Sequence, residues 1–297
     1  MKNLSTSFVV LAALFWGLSG GLGGVLMDAG WDAFVVSWFR GAVGFLFVLI
    51  WLMLRPKESG LANYRLWFWS LIAGLGIAGN FAFYFVSIEE GSVAVAATLM
   101  YSAPVFVYLV SFTLRLEKPT LLKWTAIAIV IAGIILLTQV YNIEAGGITL
   151  IGVGAGLLAG LSYAIFIFGF KYAAPHGSPQ AILSIAFAVL VAILVWPSDG
   201  GEIISVLSSP DWVLFAVLGV LGAGLSFIIY IVGLKYTQPA VASVVAMVEP
   251  VTASLFGVLI LSESLEILQI LGMGLILVTV TVLSVKSDTQ LGQANGD

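Results

Sequence analysis

Two ionisable side chains stand deep inside apolar stretches of the sequence: Arg40 in AFVVSWFRGAVGFLFVLIWLML and Glu249 in PAVASVVAMVEPVTASLFGVLILSE. At about 1.5 Å rise per residue, Arg40 lies about 10 Å into its run and Glu249 near the middle of its own. Hydrocarbon cannot solvate a charge, so both side chains must face protein or water. Two uses stay open for each. Arg40 either clamps carbonyls or snorkels to the interface as a structural residue, or it contacts a ligand or a gate. Glu249 either hydrogen-bonds a neighbouring helix or serves proton coupling or ligand contact.

A second group could add recognition chemistry. Trp16, Tyr84, Tyr101, Tyr163 and Tyr230 fall inside apolar runs or within about two turns of their ends, with Asn80, Ser102 and Ser162 close in sequence. Such side chains stack on a ring and hydrogen-bond its polar groups, so Trp16, Asn80, Tyr84, Tyr101, Tyr163 and Tyr230 are expected to line a cavity. Trp31, Trp38, Trp67, Trp69, Trp196 and Trp212 fit an interfacial belt better. Pro104 and Pro250 each remove a backbone hydrogen bond and bend their runs, which frees a carbonyl and is expected to shape a cavity wall or gate.

Several chemistries are excluded. Gly17-Leu18-Ser19-Gly20-Gly21 matches the G-x-S-x-G pattern of serine hydrolases, but the one histidine, His176, falls in a predicted loop from Pro175 to Pro179, far from Ser19. The chain has no cysteine, which rules out thiolate sites and disulfides, and a single histidine argues against a metal or haem centre. No G-x-x-x-x-G-K loop is present, so ATP is not a direct driver unless a partner subunit supplies it. No catalytic residue, metal or cofactor is expected, and a net charge of -4 without a basic tail disfavours nucleic acid.

The elements that must hold these residues follow from composition. Of 297 residues 61% are hydrophobic and 9% charged, with a mean hydropathy of +1.15, which makes an all-α integral membrane protein the fold class. Apolar runs of about 20 residues predict about ten transmembrane helices. They fall near 7–27, 33–54, 66–88, 92–114, 121–140, 148–172, 180–197, 212–235, 239–261 and 266–285. The run at 180–197 is short and ends on Trp196 and Pro197. MKNLSTS lacks a cleavage site and reads as the start of a retained first helix.

Charge sidedness agrees with ten crossings. Lys2, Arg55, Lys57, Arg65, Arg115, Lys118, Lys123, Lys171, Lys235 and Lys286 fall on one side, whereas Asp28, Asp32, Glu89, Glu90, Glu144, Asp199, Glu202, Asp211, Glu263 and Glu266 fall on the other. Both termini are therefore expected in the cytoplasm of a cell with the chain in its inner membrane.

The chain is also a tandem duplication. A shift of 146 residues lays the stretch from Ser92 to Glu117 on that from Gln238 to Glu263, with Tyr84 on Tyr230, Pro104 on Pro250 and Ala103 on Glu249. A shift of 143 lays Gly17-Leu18-Ser19 on Gly160-Leu161-Ser162. Five helices per copy is odd, so the second copy enters the membrane in the opposite sense, with a site expected at the repeat interface near mid-depth. Residues 1–140 form the first repeat and 148–286 the second, joined by the short linker Tyr141 to Gly147 in one packed unit. Gly17, Gly20, Gly21 and Gly24, with Gly152, Gly156 and Gly160, form small-residue ridges that either pack helices or let them slide.

These motifs carry a resemblance. Glu249-Pro250 followed by Glu263, the degenerate copy Ala103-Pro104 followed by Glu117, Phe15-Trp16-Gly17, and Arg40 before Gly41 and Ala42 together resemble the EamA-type branch of the drug/metabolite transporter superfamily. Gly20 and Gly41 depart from common residues of the branch. Within it the chain is most similar to bacterial exporters of aromatic amino acids. The resemblance implies ten helices in two inverted five-helix halves around a central cavity, and alternating-access export of small metabolites, aromatic or bulky apolar amino acids foremost. It implies a small-molecule substrate and the lipid bilayer as partners and is compatible with a monomer. A facilitator, an exporter of drugs, nucleosides or other amphipathic compounds, and an intramembrane enzyme or receptor remain the alternatives.

Overall fold

The computed structural model describes residues 4–56, 59–90, 93–116, 118–142, 149–260, 262 and 264–293. Lys2, Lys57, Ser92, Glu117, Glu144 and Glu263, named above, lie outside that set, as do residues 143–147 of the linker.

In lipid every backbone polar group needs a partner within its own segment, and apolar runs of this length meet that need as helices. The first half holds α1 (Ser5–Asp28), α2 (Ala33–Leu54), α3 (Tyr64–Glu89), α4 (Val93–Met100), α5 (Ala103–Thr113) and α6 (Leu121–Thr138). The second holds α7 (Leu150–Ala173), α8 (Pro179–Leu194), α9 (Gly200–Val206), α10 (Trp212–Gly219), α11 (Ser226–Leu234), α12 (Pro239–Val245), α13 (Val248–Ile260) and α14 (Ile267–Gln293). Helices α4 and α5 make one crossing in two pieces, as do α12 and α13; α10 and α11 are joined by a π-helical segment, Val220–Leu225. Each half thus crosses five times, and the second is inverted with respect to the first. The short α9 was not expected, and it links crossings without adding one.

Among the described residues eight crossings are long and apolar enough to span a bilayer by themselves, while α8 and the apolar part of α14 are shorter. Helix α8 packs against α2 and α3 and buries Ile182, Leu183, Ala186, Phe187, Leu190 and Leu194, so neighbouring helices rather than lipid surround most of it.

Hydrogen bonds between connections fall into two sets that mark the two faces. On one, Ser178 N donates to Ser59 O, Lys123 Nζ to Gln238 Oε1 at 3.0 Å, and Lys171 Nζ to the carbonyls of Leu234 and Thr237 at 2.8 and 2.6 Å. On the other, Trp31 Nε1 donates to Asp211 Oδ2, Asp32 N to Glu202 Oε1, and Thr149 Oγ1 to Glu90. The first face, called the N-terminal face below, carries the connections rich in Lys and Arg. Trp67, Trp196 and Trp212 are exposed near helix ends, as a belt requires. Trp31 and Trp38 instead spend their indole N–H inside the protein, Trp38 on Val191 O at 3.2 Å, and Trp69 packs on Tyr172.

The halves interlock through their first helices. Helix α1 packs on α11 and α13 of the second half, and α7 packs on α3, α4 and α5 of the first. The glycine ridges lie in these seams: a β-carbon at Gly17 would meet Glu249 O and Thr252 Cβ, and one at Gly160 would meet the carbonyls of Leu99 and Met100. Gly24 has open space around it and is not part of the seam.

Candidate functional site

Both split crossings break where the seams meet. Ser102 N bonds back to Leu99 O and Met247 N to Val244 O, a tight three-residue turn in each case, and a new helix starts with Pro104 or Pro250 in its first turn. Proline suits a first turn because the N–H it lacks would have no partner there. The break therefore precedes each proline instead of centring on it. Pro104 and Pro250 are buried and do not line the cavity, contrary to the cavity-wall expectation. What the breaks deliver to the cavity is Met100 and Tyr101 from one and Glu249 from the other.

The cavity has a volume of about 200 Å³. It runs from Trp16, Tyr163, Phe166, Phe227 and Glu249 at mid-depth to Met27, Ala33 and Phe85 at the ends of α1, α2 and α3 that face away from the N-terminal face. Toward the N-terminal face the chain is packed shut, with Phe170, Ala173, Tyr230 and Leu234 fully buried. Trp16, Asn80, Tyr84, Tyr101, Tyr163, Arg40 and Glu249 all contribute to the lining. Tyr230 does not: it lies behind Trp16, ring centroids 4.8 Å apart, because Phe227 one turn earlier on α11 takes the place at the cavity.

Arg40 is held from one side. Its Nε and Nη2 donate to Gly222 O at 3.2 and 3.0 Å, and its guanidinium lies 5.5 Å from the centroid of the Phe81 ring, a cation–π contact. Gly222 belongs to the π-helical segment, and a β-carbon there would stand 2.5 Å from Ser19 Cβ and 3.0 Å from Arg40 Nε. A glycine at that point is what admits the guanidinium to the backbone. Clamping a carbonyl and lining the cavity are thus both features of the same Arg40 side chain.

The Glu249 carboxyl accepts no hydrogen bond from the described residues, so the neighbouring-helix partner open from the sequence is not found. Nor do Arg40 and Glu249 form an ion pair, although each lies within the electrostatic reach of the other. Asn80 Nδ2 donates to Ala159 O at 3.0 Å, leaving its Oδ1 as an acceptor. The indole N–H of Trp16 and the hydroxyls of Tyr163 and Tyr230 are buried without a protein partner. Ser102 Oγ is spent on Leu99 O and Ser19 Oγ on Trp16 O, while His176 approaches Asn63 near the N-terminal face, so the serine-hydrolase string has no base. Among the described residues no group of three His, Cys, Asp or Glu is placed to hold a metal.

The two charges break the repeat. Glu249 corresponds to Ala103 at the 146-residue shift, and Arg40 to Ala186 on α8. Phe81, Phe166 and Phe227 also line the cavity, although their rings carry no polar tip to mark them in the sequence. Phe166 is one turn beyond Tyr163, and that spacing was the available signal.

Comparison with known proteins agrees with this architecture. An uncharacterized transporter of Archaeoglobus fulgidus is 29% identical over 280 residues, covering 92% of this chain and 94% of the relative. The uncharacterized transporter YwfM of Bacillus subtilis is 25% identical over 292 residues, 95% of this chain and 94% of its own. The uncharacterized inner membrane transporter YicL of Salmonella typhimurium is 24% identical, covering 94% of each. A solved crystal structure shares the fold with a TM-score of 0.74 at 16% identity, over 97% of this chain and 98% of that one. The profile of the EamA-like transporter family matches twice, at residues 4–139 and 150–285, and the chain accordingly belongs to that family of membrane transporters.

Proposed function

We propose that this transporter is a secondary exporter of small metabolites, aromatic or bulky apolar amino acids foremost, working by alternating access with residues 1–140 and 148–286 as its two packed, inverted halves. The observation that carries the reading is a cavity between the halves in which Arg40 and Glu249 share the wall with Tyr84, Tyr101 and Tyr163. Aromatic walls take up an apolar side chain, and a few convergent polar groups fix its orientation. In this reading the N-terminal face, where Lys and Arg concentrate, is cytoplasmic. The cavity then faces outward, and its closed cytoplasmic side is the one that opens to load. Purified protein in liposomes, assayed with labelled amino acids with and without a proton gradient, tests the proposal. Movement of an aromatic amino acid above protein-free vesicles supports it, and folded protein that moves none refutes it.

A further inference from the structure

The polar groups in the cavity that the protein leaves unspent are of two kinds. Arginine carries its N–H donors in a planar fork. Gly222 O occupies one edge of that fork in Arg40, so the remaining donors have no acceptor among the described residues. Trp16 and Tyr163, whose indole N–H and hydroxyl are themselves buried without a partner among the described residues, add aromatic surface to the same wall. Against these donors stands one carboxyl, Glu249, itself without a hydrogen bond from the described residues. A charge sealed under a ligand without a partner is costly, which makes each charge a filter. A cationic amphiphile would satisfy Glu249 and strand Arg40, an anion would do the reverse, and a neutral compound would strand both. Size acts in the same direction, since about 200 Å³ falls short of the roughly 300–1,000 Å³ usual for drug-sized ligands.

Taking the cavity as the substrate site, as the proposed function does, we infer that it selects a zwitterion: an α-amino acid with both charged groups free, its carboxylate on Arg40 and its ammonium on Glu249. The side chain of the amino acid packs among the aromatic rings.

The test is a binding series on purified protein in lipid nanodiscs with L-phenylalanine, 2-phenylethylamine, which lacks the carboxylate, and 3-phenylpropionate, which lacks the ammonium. Phenylalanine is expected to bind more than about 100-fold tighter than either analogue, because a site built for a polar group rejects the ligand lacking it. Arg40→Gln should abolish the preference over 2-phenylethylamine, and Glu249→Gln the preference over 3-phenylpropionate. Equal binding of phenylalanine and one analogue to the wild type overturns the inference while leaving the cavity as the site for aromatic substrates. If no α-amino acid binds to folded protein, the proposed substrate fails together with it. Should Arg40→Gln not fold for want of a donor to Gly222 O, the wild-type series decides alone.

Discussion

Gly17 rests directly on the backbone of Glu249: a β-carbon at position 17 would lie 2.5 Å from the Glu249 carbonyl oxygen and 2.5 Å from Thr252 Cβ. The seam that joins α1 to α13 therefore runs through the residue that brings a carboxyl to the cavity, and space for even one methyl group is missing. Gly17→Ala must push the helices apart, at a cost of about 1–3 kcal/mol for overpacking. The expected result is a lower melting temperature in detergent and weaker transport, whereas Gly24→Ala, in open space, changes neither. Equal behaviour of the two variants would show that the seam is not as tight as its geometry implies.

Tyr163 and Tyr230 form a contrasting pair. Each buries a hydroxyl without a protein partner, but only Tyr163 lines the cavity. Removing an unsatisfied buried hydroxyl relieves about 1 kcal/mol or more of desolvation. Tyr230→Phe is expected to raise the melting temperature and leave transport as it was. Tyr163→Phe should be at least as stable as the wild type and transport less. Impaired transport in Tyr230→Phe with normal Tyr163→Phe would reverse the assignment of the two rings.

Sidedness is testable because the chain contains no cysteine. Ser208 follows α9 and is exposed, and Lys118 lies in the exposed connection before α6. A membrane-impermeant thiol reagent on intact cells should modify Ser208→Cys and reach Lys118→Cys only after the cells are opened. Modification of both from outside would remove the assignment of the N-terminal face to the cytoplasm.

Among the described residues Glu249 is the one carboxyl in the cavity wall, and Arg40 stays charged throughout the accessible pH range. If export is coupled to protons, the proton and the substrate ammonium compete for the same carboxyl. Glu249→Gln keeps the size and hydrogen bonding of the neutral acid and cannot titrate. At saturating substrate this variant should still transport but lose the dependence on a pH gradient. Full gradient dependence in Glu249→Gln would place the proton site elsewhere.

Much of the architecture was legible in the sequence because lipid imposes it. Apolar runs of bilayer length, one-sided cations and a gapless repeat yield ten crossings and their inversion. The depth of Arg40 and Glu249 was legible for the same reason. Tyr230 was misplaced because α11, SFIIYIVGL, is apolar on every side, so no polar stripe tells which face turns to the cavity. The π-helical segment VLGAGL was invisible, since its composition also suits a regular helix and its distinguishing partner, Arg40, comes from a distant helix. The prolines announced breaks, but a first-turn proline marks where a helix restarts, and the residues delivered to the cavity lie beside it.

The central claim is that the cavity holding Arg40 and Glu249 is where an aromatic amino acid binds during transport. Ser37 lines that cavity on α2, and Ser208 lies outside it. In proteoliposomes, a thiol reagent acting on Ser37→Cys should be slowed by phenylalanine, and the same reagent acting on Ser208→Cys should not. If phenylalanine is transported by these proteoliposomes while the modification rate at Ser37→Cys stays the same with and without it, the substrate passes elsewhere and the account is contradicted.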